Sequence, residues 1–209
     1  QGQDFGTFAD LTPGLHEIVL TDDSACTQRL EIDIFEPPLL TTSTTKTDVT
    51  CFNFGDGTTT VLAEGGTPAY TYAWDSNPPQ STEQTTNLSG GIYRVLVTDA
   101  NGCEDTASTF VFEPDSLTLD LDPSSVLESY CDWPNGQAKV FTSGGRLPHL
   151  ITWEGRNTLE GFAVNQLYGG PYQVTVTDSA GCVTVLDVLI PETPPAIPFF
   201  ESNPSWRDS

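Results

Sequence analysis

Five cysteines, two histidines and an aspartate that recurs at one repeated position are the residues of this sequence with chemistry to offer. His16 and His149 lie far apart and in different repeat positions, so no triad or zinc cluster can be assembled from them. The separation of Cys51 from Cys103 is nearly the same as that of Cys131 from Cys182. The simple pairing joins Cys51 to Cys103 and Cys131 to Cys182 and leaves Cys26 without a partner. Each bond would stabilise by roughly 4 kcal/mol in the chain-entropy view and would need an oxidising compartment. The other reading is free buried thiols. No Cys-x-x-Cys pair is present to suggest redox or zinc chemistry.

The repeated acid is Asp22, Asp99 and Asp178. Paired carboxylates do acid–base work, but an enzyme seldom repeats its site in every unit without other polar machinery. Calcium suits hard oxygen ligands, although no Asp-x-Asp-x-Asp loop occurs. The third reading is a hairpin cap, in which the carboxylate accepts backbone hydrogen bonds. We therefore expect no catalysis and no cofactor, with calcium the single metal worth weighing. Trp74 and Trp153 recur and fit core packing, whereas Phe52, Tyr130, Trp133 and Trp206 are not shared between units. A sugar-binding platform built from the latter would be unit-specific, and it makes an accessory carbohydrate-binding module the alternative to a structural role.

Composition narrows the classes further. The chain has 209 residues, with 7 Lys+Arg against 29 Asp+Glu and a formal net charge of −22. Neither phosphate backbones nor anionic bilayers attract such a surface. No apolar run approaches the roughly 20 residues needed to span a bilayer, so membrane insertion is not expected. Gln1-Gly2-Gln3-Asp4 lacks the basic and apolar regions of a leader. With no Met anywhere, the sequence reads as a processed or excised piece. The 18 Gly and 16 Pro are the composition of short strands and many turns.

The elements that position these residues come in repeats. One block occurs three times: Leu11 to Asp22, Leu88 to Asp99, and Leu167 to Asp178. Each is followed four positions after its Asp by a Cys, namely Cys26, Cys103 and Cys182. Each then alternates toward a proline, and Pro37, Pro114 and Pro191 stand at equal intervals along the chain. A second pattern occurs twice, Gly65-Gly66 leading to Trp74 and Gly144-Gly145 leading to Trp153. The boundaries expected are a C-terminal half-unit at 1–37, whole units at 38–114 and 115–191, and a tail at 192–209. Within that tail, residues 197–201 would begin a further unit. Proline at the joints should make the units a linear, extended string.

Within a unit the apolar period is two, as in Tyr93, Val95, Val97 and Tyr172, Val174, Val176, which marks strands with one buried face. Gly102 and Gly181 supply the positive φ of a tight closing hairpin; the first unit has Ala25 there. Six or seven short strands with a buried Trp predict an all-β fold of tandem, small Ig-like β-sandwiches, each with one intradomain disulfide tying one end of the sandwich. Tyr93 and Tyr172 resemble tyrosine corners, and His16 stands in the same place as a structural substitute.

The motif Gly-Gly-Thr-Pro-x-Tyr-x-Tyr-x-Trp, followed by Leu-x-x-Gly-x-Tyr-x-Val-x-Val-Thr-Asp-x-x-Gly-Cys and closing on Glu-Pro, resembles the SprB repeat of Bacteroidota cell-surface adhesins. The resemblance covers both whole units and the half-unit. In the third unit Arg146-Leu147-Pro148-His149 departs from the expected Thr-Pro-x-Tyr. The resemblance implies export by the type IX system, an outer-membrane-associated cell-surface location, and service as stalk or adhesive modules of a very large protein linked to gliding motility or attachment. Its partners would be the secretion and surface-motility machinery and, at the surface, polysaccharide or glycan. It also implies O-glycosylation at Asp-Ser/Thr motifs, here at Ser24, Thr106, Ser116 and Ser179, of which Thr106 lies inside a predicted strand.

Overall fold

The structure, a computed structural model, describes residues 8–194. Apart from one 3-10 turn at Pro123–Ser125, the regular elements of these residues are all strands. The first pair, β1 (Gly14–Thr21) and β2 (Thr27–Ile34), forms an antiparallel two-stranded hairpin closed by Thr21 opposite Thr27. Its apolar side chains alternate, yet Leu15, Val19, Leu30 and Ile32 are exposed. A two-stranded hairpin has no opposing sheet in which to bury them.

The second repeat holds β3 (Thr41–Thr47), β4 (Gly57–Glu64), β5 (Thr71–Trp74), β6 (Gln84–Leu88), β7 (Gly91–Thr98) and β8 (Glu104–Val111), in sheets of order β3-β4-β6 and β5-β7-β8. The third holds β9 (Thr118–Leu121), β10 (Ser129–Tyr130), β11 (Gly136–Ser143), β12 (Leu150–Glu154), β13 (Thr158–Glu160), β14 (Ala163–Leu167), β15 (Gly170–Thr177) and β16 (Val183–Ile190). Its sheets run β14-β11-β9 and β13-β12-β15-β16, and the short β17 (Glu192–Thr193) pairs in parallel with β10. Both repeats follow one order: β3, β4 and β6, like β9, β11 and β14, form one sheet, and β5, β7 and β8, like β12, β15 and β16, belong to the other. That is the immunoglobulin-like arrangement.

The described residues divide into two compact units: 8–45 with 60–85 and 93–109, and 46–59 and 86–92 with 110–194. In the first, Leu40, Val61, Trp74, Val95 and Val97 form the core. In the second, Val140 and Leu167 from one sheet face Ile151, Trp153, Tyr172, Val174 and Val176 from the other. The alternation seen in sequence is the cause: Tyr172, Val174 and Val176 are buried while Gln173 between them is exposed. Full burial of each such side chain is worth about 1.5–3 kcal/mol. Both recurring tryptophans are core residues, with Nε1–H of Trp74 donated to Thr82 O and that of Trp153 to Gly161 O.

The repeat length is not uniform. Gly66 N–H bonds Pro38 O and Gly145 N–H bonds Asp115 O, so the first strands of the two repeats are offset by the same interval as the joint prolines. From the second strand onward the offset is longer by two positions, as for Gly57 and Gly136, which begin β4 and β11. The two extra residues fall where the 3-10 turn, capped by Asp122, interrupts the third repeat.

The disulfide expected inside each repeat is a correction. Cys51 is bonded to Cys182, and Cys26, Cys103 and Cys131 are free and exposed. The physical reason is the order of strands. Cys182 precedes β16, and Cys131 donates its N–H to Thr193 O beyond the other end of that strand. A strand of that length spans roughly 27 Å, far outside the reach of a disulfide. In the second repeat, likewise, Cys103 precedes β8, whereas Val49 N–H bonds Phe112 O just after it.

Candidate functional site at the Cys51–Cys182 bridge

The site is built from two turns. One is the closing hairpin Asp178-Ser-Ala-Gly-Cys182, where Gly181 adopts φ +87° and Asp178 N–H bonds Cys182 O. The Asp178 side chain holds the turn from inside: Oδ1 accepts N–H from Ala180 and Cys182, and Oδ2 accepts Arg146 N–H at 2.8 Å. Asp99 makes the same three bonds, from Asn101, Cys103 and Thr67. Asp22 makes the two local ones, from Ser24 and Cys26. The repeated aspartate is therefore a backbone clamp. The clamp lowers the carboxyl's pKa: for Asp99 the Thr67 N–H leads in holding it below 3.8, against burial. For Asp178 burial pushes upward but is outweighed by N–H donors from Arg146, Cys182 and Ala180 and by the charge of His149. Among the described residues, no group of three or more His, Cys, Asp or Glu is arranged to hold a metal ion.

The other turn carries Cys51. Asp56 Oδ1 accepts Thr50 N–H, Phe54 N–H bonds Cys51 O, and Asp48 Oδ1 accepts Phe112 N–H. Glu113 ties the loop to its surroundings, its two oxygens accepting Asn53 N–H and Gly90 N–H at 2.7 Å each. All three carboxyls lie below their ordinary values: Asp48 chiefly by its bond from Lys46, Asp56 by that from Thr50, and Glu113 by that from Gly90.

The two turns meet at the bridge, with Cα atoms 5.8 Å apart. Arg146 locks the meeting. Its backbone is held by Asp178 and by Ser179, its Nη2–H donates to Val49 O at 3.0 Å, and its guanidinium lies 5.6 Å from the Phe112 ring centre. Cys51, Phe52, Ser116, Leu117 and Cys182 share one groove there. Thus the site joins residues of the second sequence repeat to residues of the third.

Sequence reasoning missed Arg146 and Glu113. The signals were present: Arg146 is a departure from the Thr67 of the sibling repeat, and Glu113 recurs as Glu192 in the next repeat. The histidines have structural contacts. His16 Nε2 lies 2.6 Å from Thr12 O, four residues back, just as Tyr172 OH accepts the N–H of Tyr168, four residues back. His149 Nδ1 lies 2.8 Å from Thr142 Oγ1. Trp133, Phe52 and Tyr130 are exposed; Trp206 and residues 197–201 lie outside the described residues.

Residues 43–79 match the SprB repeat family. No curated protein matches the chain. Similar solved structures include a Dscam isoform, at 12% identity and TM-score 0.34, covering 81% of this chain and 52% of that one. A Dpr11–DIP-gamma immunoglobulin complex has 10% identity and TM-score 0.35, with 74% and 99% covered. The C-terminal 282-residue fragment of intimin, bound to the intimin-binding domain of its translocated receptor, has 16% identity and TM-score 0.36, with 75% and 64% covered. The chain thus spans about half the length of the Dscam chain it matches, and at these scores the likenesses carry no argument; the immunoglobulin-like order rests on the sheets themselves. No helix among the described residues is long and apolar enough to cross a membrane. The match at residues 43–79 is to the family that the sequence motifs resembled.

Proposed function

We propose that this chain is a non-catalytic repeat region, serving as stalk or adhesive modules, of a large exported adhesin. Its units are 1–37, 38–114 and 115–191, with 192–209 a linker or the start of another. Export through the type IX system, an outer-membrane-associated surface location and a role in gliding or attachment complete the reading. The observation that carries it is the SprB match at residues 43–79, supported by polar side chains that serve as backbone clamps. O-glycans on Ser24, Thr106, Ser116 and Ser179 belong to the same reading, and all four side chains are exposed.

The test is on cells. Antibody against residues 38–191 should label intact cells, with the label removed by external protease and lost when type IX export is disabled; protein confined to the cytosol would sink the proposal. Intact mass of the natively sourced protein reads the glycans directly.

The carbohydrate-binding alternative rests on Trp133, 69% exposed, beside the exposed Tyr130. Binding of an oligosaccharide that is abolished in Trp133→Ala would favour it over the stalk.

A further inference from the structure

We propose that the Cys51–Cys182 bridge is one link of a series, and that Cys103 and Cys131 are the open halves of the neighbouring links, each closing onto an adjoining repeat of the same kind. This rests on reading the chain as a tandem repeat region. It names the partner of that region's free cysteines.

Cys103 holds in the second repeat the place that Cys182 holds in the third, in the same clamped turn. Asp99 Oδ1 accepts its N–H as Asp178 Oδ1 accepts that of Cys182, and Gly102 and Gly181 share the positive φ. Beside Cys103 lies a groove of about 470 Å³ whose lining includes Pro37, Leu39, Leu40, Asp99 and Cys103. The corresponding groove beside Cys182 is lined by Ser116, Leu117, Gly181 and Cys182 together with Cys51, Phe52 and Phe54. There the seat and its occupant are seen at once: a turn presenting a cysteine followed by an aromatic residue. The groove at Cys103 has the same framework, and its cysteine is exposed and free. The occupant it fits is the cysteine turn of a preceding repeat.

Cys131 is the complementary half. Ser129 N–H bonds Pro191 O as Val49 N–H bonds Phe112 O. Tyr130 N–H bonds Asn135 Oδ1 as Thr50 N–H bonds Asp56 Oδ1. Cys131 directly follows its bonded amide, as Cys51 does, and it too is exposed and free. Its partner is the hairpin cysteine of a following repeat. Cys26, in the Asp22 turn, is a hairpin cysteine of the same type.

Closing a link oxidises two thiols to one S–S bond. A low-molecular-weight disulfide accepts the two electrons and two protons and departs as two thiols. The result is a covalent path from repeat to repeat, in addition to the main chain.

The test joins residues 38–209 directly after Thr193 of the full chain, the place that Pro37 and Pro114 hold after the recurring Glu36 and Glu113, so that β17 stays paired beside Cys131. The fusion sets Cys131 of the first copy against Cys103 of the second. After refolding in a glutathione redox buffer, non-reducing peptide mapping should find a cross-copy Cys131–Cys103 bridge beside Cys51–Cys182 in each copy, leaving three alkylatable thiols. Cys103→Ser in the second copy should release the Cys131 thiol. Cys51–Cys182 in both copies with Cys131 and the second Cys103 alkylated, five thiols in all, would overturn the proposal. So would a Cys51–Cys103 bridge within the second copy. Cell labelling reads the surface location separately, so failure here leaves that reading intact, and the reverse.

Discussion

Cys51 and Cys182 are bonded across a sequence separation of 131, each contributed by a different sequence repeat. A covalent tie between repeats makes the end of one sandwich and the beginning of the next a single cooperative element, because neither turn can leave without the other. In the chain-entropy view a loop of this size stabilises by about 4–5 kcal/mol. Reduction, or Cys51→Ser, should therefore lower the urea midpoint of residues 110–194, read by tryptophan fluorescence, while Cys103→Ser and Cys131→Ser leave the isolated chain's midpoint unchanged.

Acid should loosen the hairpin clamps. Asp99 and Asp178 have folded-state values below the ordinary 3.8. Their contribution is thus complete above the unfolded value and is lost as pH falls through the folded one. Unfolding midpoints should stay flat from neutral pH to about pH 4 and drop below it. In Asp99→Asn/Asp178→Asn the midpoint should be lower at neutral pH and the acid drop smaller; an unchanged acid slope would mean that other carboxyls govern it.

Ala25 holds the place of Gly102 and Gly181 at φ +64°, a left-handed conformation that costs a non-glycine residue about 1 kcal/mol. Ala25→Gly should stabilise the β1–β2 hairpin by about that amount, seen as slower amide exchange across Gly14–Ile34.

Gly144 has φ +71°, and a Cβ there would stand 2.0 Å from Ser116 O. Backbone cannot yield as a side-chain tip can. Gly144→Ala should destabilise by about 2–4 kcal/mol, measured by chemical denaturation, with a circular dichroism spectrum that remains β at low temperature.

Two tryptophans should differ sharply. Trp153→Ala empties the core of the third repeat and should cost about 3–5 kcal/mol. Trp133→Ala, at an exposed position, should change stability by less than about 0.5 kcal/mol. Equal effects in thermal melts would contradict the packing described for β12.

Much of the architecture is legible in the sequence because its causes are local. Alternation at Tyr172, Val174 and Val176 dictates a strand with one buried face. The Asp-x-x-Gly-Cys spacing dictates a hairpin whose fourth residue takes positive φ, and recurrence singles out Trp74 and Trp153 as core. Even the substitute role of His16 follows from its alignment with Tyr172. These rules act between near neighbours in the chain, and the sequence by itself determined their outcome. Which cysteines meet is a different kind of question. The turn carrying Cys131 and the hairpin carrying Cys182 lie at opposite ends of β16, so the pairing that spacing favours is geometrically closed. Only the tertiary structure decided that Cys51 faces Cys182, because that depends on which sandwich end abuts which, and on Arg146 reaching Val49 O across the join. Proximity between ends of separate strands is set by the whole path of the chain, and no period or turn signal within either repeat contains it.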